Sequence, residues 1–297
     1  MSSKSQEVHD SATYYVPHTS PWPLVGSVSL FVLMLGVVSF LNDWAGGWAF
    51  VPGALLIAGL FFGWFSTVIG ENERGLYNMQ VDKSFRMGMM WFIISEIMFF
   101  AAFFGALFYA RQLSVPWIGG EGVKIFNKLL LWNEFDPAWP TNGPARVGGD
   151  AAGNFGTIPA FGLPAINTAL LLTSGVTITI AHHALREGKR GLLSIALAAT
   201  WALGFLFVFL QGEEYVHAWT ELNLRLSTGI YGSTFFMLTG FHGLHVTIGA
   251  IMLLVIWLRC LKGHFTPQRH FAFEAVAWYW HFVDVVWLIL FVFVYWV

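Results

Sequence analysis

The sequence predicts an all-α integral membrane protein with seven transmembrane helices. Three observations carry this. Hydrophobic residues make up 56% of the chain and charged residues only 11%, against about 25% charged in a typical soluble domain. Too few charges remain to cover a surface in water. Aromatics reach 18%, with 29 Phe and 15 Trp, and Trp favours membrane interfaces. Third, seven stretches are long enough to cross a hydrocarbon core about 30 Å thick, which takes about 20 apolar residues at about 1.5 Å each. The same composition excludes disorder, which needs low hydrophobicity and high charge. A net charge of −2 offers no basic field for nucleic acid. The single cysteine, Cys260, excludes an intrachain disulfide framework and a multi-Cys metal site.

The spans fall at 22–41, 48–70, 86–110, 163–185, 191–216, 230–258 and 272–297 by apolar length. The first is interrupted by Gly26, Gly36 and several serines. The last runs from Trp278 to Val297 with His281 and Asp284 as its strongly polar side chains. Residues 1–21 are polar and lack the basic, apolar and small-residue regions of a signal peptide. Pro17, Pro21 and Pro23 mark the entry to the first helix, where proline is tolerated. With the N-terminus inside, the cytoplasmic side holds Lys4, Arg74, Lys83, Arg86, Arg186, Lys189, Arg190, Arg259, Lys262 and Arg269. The other side holds Arg111, Lys124, Lys128, Arg146 and Arg225. Ten against five favours N-terminus in and C-terminus out. A long outer loop covers 111–162, with paired glycines and five prolines. It reads as a partner surface or as a tolerated insertion. Gly59 with Gly63, and Ala101 with Gly105, have the small-xxx-small spacing that lets helices pack closely.

Carboxylates at bilayer depth are costly, so they are usually functional or paired. Two lie near the middle of a span, Glu96 in the third helix and Asp284 in the seventh. Glu96 is about 15 Å deep by the helical rise. His242 and His245 share a face of the sixth helix at the i,i+3 spacing. His281 and Asp284 do the same on the seventh. Three readings apply: a metal or haem site, a proton relay through a protonated Glu96, or interhelical hydrogen-bond glue. No H-E-x-x-H or cysteine cluster supports metal. Glue leads for the histidines, while for Glu96 function and pairing weigh equally. The expected pairing joins a neutral Glu96 to His242 or His245. His182 and His183 read as a polar helix end, and Glu213 and Glu214 as a solvated pair at the outer end of the fifth helix. Arg259, Lys262, His264, Arg269 and His270 form a juxtamembrane basic cluster suited to anionic lipid head groups, or to plain positive-inside anchoring.

Several stretches are more specific. They are Ser20-Pro21-Trp22-Pro23-Leu24, Phe92-Ile93-Ile94-Ser95-Glu96 and Ala181-His182-His183. They continue with Tyr231-Gly232-Ser233-Thr234-Phe235-Phe236 and Thr239-Gly240-Phe241-His242-Gly243-Leu244-His245-Val246. The last are Phe273-Glu274-Ala275 and Ala277-Trp278-Tyr279-Trp280-His281-Phe282-Val283-Asp284-Val285-Val286-Trp287-Leu288. Together they resemble subunit III of cytochrome c oxidase, across nearly every span.

The resemblance implies helices 1–2 (22–70) splayed from a bundle of helices 3–7 (86–297), with phospholipid in the cleft and 71–85 as a cytoplasmic loop. It implies no catalytic residue, haem, copper or other metal in this chain. Those cofactors belong to partner subunits I and II, which oxidise cytochrome c, reduce dioxygen and pump protons. Subunit III is expected to stabilise that core, sustain proton uptake and protect against turnover-linked inactivation. Glu96 matches the family's buried membrane carboxylate. Glu71, Arg259, His264 and His270 match positions near a bound phospholipid head group. The chain departs from mitochondrial relatives at Phe65-Ser66, where they carry Trp and Arg, and at Gly70, where they carry a basic residue. Its longer outer loop points to a bacterial inner membrane. A quinol-oxidase subunit III is the neighbouring alternative, but those usually lack the first two helices, and the Ser20–Leu24 motif argues against it. A proton-coupled transporter using Glu96 and Asp284 is the other class; inverted repeats and broken helices would mark it, and the sequence shows neither.

Overall fold

Proline, asparagine and glycine punctuate the chain where its helices start and stop. The computed structural model describes residues 14–17 and 19–296, so Lys4 and most of the 1–21 segment lie outside the described residues. Seven long helices follow: α1 Trp22–Leu41, α2 Val51–Glu73, α3 Met79–Tyr109, α4 Leu163–Arg186, α5 Arg190–Thr220, α6 Gly229–Leu261 and α7 Phe271–Leu290. All seven, with short extensions, are long and apolar enough to cross a membrane. The described residues contain no strand. Contacts divide the chain into two units, Met1–Met87 and Gly88–Val297.

In the first unit α1 and α2 form a hairpin. Prolines near both starts suit the helix N-terminus, where the missing N–H costs nothing. Asn42 closes α1 through its Nδ2, which donates to the Val38 carbonyl at 2.9 Å. Asp43 then turns the chain at φ +57°. A glycine sets the helix approach. A Cβ on Gly53 would lie 2.5 Å from the Leu33 Cα and 2.7 Å from its nitrogen. Backbone cannot swing aside, so Gly53→Val should part α1 from α2 and cost about 1–3 kcal/mol, read as a lower thermal midpoint of the purified protein. Gly59→Val is the control, because nothing lies within 4 Å of a Cβ there. This corrects the spacing argument: Gly63 does meet Trp22, but Gly59 and Gly105 face open space.

The third helix begins seven residues before the apolar span predicted at 86–110. The side-chain oxygen of Asn78 accepts the backbone N–H groups of Gln80 and Val81 at 3.1 and 3.0 Å, a capping arrangement. Asp82 and Arg86 pair at 2.7 Å one turn apart. Together they carry the helix through part of the expected 71–85 loop.

In the second unit α4 to α7 pack around a core rich in aromatics, with Trp280 and Trp287 among its largest fully buried side chains. Trp280 on α7 fits between glycines of two other helices. A Cβ on Gly204 of α5 would come within 2.6 Å of its ring, and one on Gly249 of α6 within 2.9 Å. The 111–162 loop is folded onto this unit. Gly156 N–H donates to the Leu222 carbonyl at 2.8 Å, and Tyr231 N–H to Thr141 at 3.2 Å. Asp150 accepts the backbone N–H groups of Ala152 and Asn154, both at 2.8 Å, and these bonds hold its carboxyl below the usual range.

Candidate functional site

Glu96 is the eighteenth of the 40 residues in the Met79–Ile118 span, near its centre. Its Oε2 lies 2.8 Å from Nε2 of His245 on α6. His245 Nδ1 lies 2.6 Å from the Phe241 carbonyl. A carbonyl only accepts, so Nδ1 carries a proton. One further proton must then sit between Nε2 and the carboxyl for the 2.8 Å contact to be a hydrogen bond. Whichever atom holds it, the pair has no net charge. That is the condition under which two ionisable groups are tolerated at mid-span. Phe100 packs edge-on against the His245 ring at 5.0 Å, and Tyr279 donates to the His245 carbonyl at 3.3 Å.

His242 turns elsewhere. It is 1% exposed, stacks on Trp287 at 5.2 Å and meets the Phe207 ring edge-on. Neither of its ring nitrogens has a hydrogen-bond partner. Asp284 faces α4, where a Cβ on Gly175 would lie 2.6 Å from its Oδ2. Its Oδ2 lies 3.7 Å from His281 Nδ1 on the same helix, and His281 also reaches Thr179 at 3.4 Å. Glu96 and Asp284 share no hydrogen-bond or ion-pair partner among the described residues.

A third carboxyl is buried that sequence reasoning placed at a solvated surface. Glu214 is 1% exposed. Its Oε1 accepts from Tyr295 at 2.6 Å and from Gln211 at 3.0 Å. The physical reason is helix length: α5 runs on to Thr220, so Glu214 lies a turn and a half inside the end rather than at it. Glu214 therefore ties α5 to the C-terminal turn after α7. Gln211, one turn before it, was the available signal.

The lipid candidates divide between the units. In the first, Glu71 is clamped by two phenols: Tyr15 donates at 3.0 Å and Tyr77 at 2.7 Å. Burial, and then the Glu71 carboxyl, push both phenols above their usual range. In the second, Arg259 is buried, with its guanidinium 4.6 Å from the Phe265 ring centre. Arg190 donates to the Phe265 carbonyl at 2.6 Å, fixing the turn that carries His264 and His270. His270 meets Glu274 and His182, with one ligand-type atom of each within 4.8 Å of the others.

Comparison with known proteins agrees with the sequence motifs. The family model described as cytochrome c oxidase subunit III matches residues 12–129 and 130–297. Cytochrome c oxidase subunit 3 of Dugong dugon is 41% identical over 295 residues, covering 97% of this chain and 98% of the relative. Those of Nanger granti and Oncorhynchus masou are 40% and 39% identical at the same coverage. Over almost its whole length, then, this multi-pass membrane chain belongs to the cytochrome c oxidase subunit III family.

Proposed function

We propose that the chain is a non-catalytic subunit that assembles with oxidase subunits I and II. They hold the haem and copper and couple electron transfer from cytochrome c to dioxygen with proton pumping. This chain braces that core, holds phospholipid and supports proton uptake. The observation that carries the bracing role is how two of the interior carboxyls are used. Glu96 joins α3 to α6, and Glu214 joins α5 to the turn after α7. Each is spent on holding helices together. The basic turn that carries Arg259, His264 and His270 supports the lipid-holding role by its charge. The lysine and arginine bias supports a cytoplasmic N-terminus and an outer C-terminus, and the long outer loop supports a bacterial cytoplasmic membrane.

Purification in mild detergent tests this. The chain should comigrate with haem-containing subunits. A complex lacking it should start at near-normal turnover and then inactivate progressively during catalysis. If the chain never comigrates with haem, the proposal fails.

A further inference from the structure

We propose that His182, His270 and Glu274 form a binding site for a divalent transition metal ion of the zinc class. His182 lies four residues before the end of α4 at Arg186, His270 directly before α7 and Glu274 in the first turn of α7. Sequence spacing gives no hint of this, because the ligands come from segments far apart in the chain. Glu274 Oε1 is 3.1 Å from His270 Nε2 and 3.6 Å from His182 Nε2. A tetrahedral zinc site with bonds of about 2.1 Å has ligand-to-ligand edges of about 3.4 Å. The two observed edges bracket that length.

The histidines are also prepared as ligands. His270 Nδ1 lies 3.1 Å from the Thr266 carbonyl. That contact puts the proton on Nδ1 and leaves an Nε2 lone pair facing the cluster, the usual outer-shell arrangement of a metal-bound histidine. Nε2 of His270 and Nε2 of His182 are both buried without a hydrogen-bond partner. The 3.1 Å approach of His270 to Glu274 is thus close but not aligned as a hydrogen bond. A cation beside that line would satisfy both nitrogens, with the carboxylate supplying the negative charge. Two imidazoles and one carboxylate are a zinc-type donor set with a fourth position left for water. They suit magnesium and calcium poorly, since those ions take oxygen ligands. An ion here would clip the end of α4 to the start of α7.

The test uses the purified, chelator-stripped complex containing this chain, titrated with Zn2+ by equilibrium dialysis in the presence of excess Mg2+. Wild type should bind one more equivalent than His270→Ala or Glu274→Gln, or bind it at least about tenfold more tightly. His183→Ala, beside the cluster in sequence but outside it, should bind like wild type. Equal zinc binding by wild type and both ligand variants overturns the site, and so does an equal loss in His183→Ala. If the variants fail to assemble, wild type alone decides by anomalous scattering at the zinc edge. A peak bonded to His182, His270 and Glu274 is expected, and no peak there at saturating zinc overturns the proposal.

Discussion

Trp280→Ala should destabilise the protein by about 3 kcal/mol, the low end of the range for emptying a buried tryptophan site. The low end applies because lipid is itself apolar, so removal from water contributes little between membrane helices. What is lost is contact and shape. Trp280 is 0% exposed and is flanked by Gly204 of α5 and Gly249 of α6. Its indole Nε1 donates to Ser174 Oγ of α4 at 2.8 Å. One side chain of α7 therefore joins three other helices, and alanine opens a void that all of them line. Trp280→Phe should cost far less, about 1 kcal/mol for the hydrogen bond, because Ser174 keeps its own bond to the Leu171 carbonyl at 2.7 Å. Gly249→Val would crowd the same ring from α6 and should be comparably damaging. Detergent-titrated unfolding reads all three. An alanine variant within about 1 kcal/mol of wild type would show that the tryptophan does not organise these helices.

The number of helices was legible because hydropathy is local: an apolar run long enough to span is visible without its neighbours. Helix ends were less legible, because polar groups set them. The Asn78 cap and the Asp82–Arg86 pair lengthen α3 beyond its apolar part, and the extra turn of α5 moves Glu214 from a surface to an interior. The rise per residue also put Glu96 near the middle of its span, where it lies. Rotation did not follow. His242 and His245 are three residues apart, which separates them by about 60° around the helix. That angle sends one ring to Glu96 and the other to Trp287. Which helix lies beside which is a property of the whole bundle, and so the meeting of His182 with Glu274 could not be read from spacing.

Rotation makes His245, not His242, the residue whose loss should expose the role of Glu96. His245→Ala should cost about 2 kcal/mol, the penalty for stranding a buried polar partner, whereas His242→Phe should cost less, since that ring already sits among aromatics. Glu96→Gln should leave assembly intact. The amide nearly preserves shape, and its N–H can donate to the lone pair of a neutral His245 whose Nδ1 proton faces the Phe241 carbonyl. Glu96→Ala removes that donor and should loosen the contact between α3 and α6. The Glu96→Ala and His245→Ala pair should therefore be non-additive by about 1–2 kcal/mol, at the upper end for polar pairs between membrane helices. Unfolding midpoints of the two single variants, the double variant and wild type measure it. A coupling near zero would mean that the 2.8 Å contact holds nothing together. Loss of assembly in Glu96→Gln would mean that the carboxyl itself is required, since the amide supplies the same shape and the same hydrogen bond without an exchangeable acid proton.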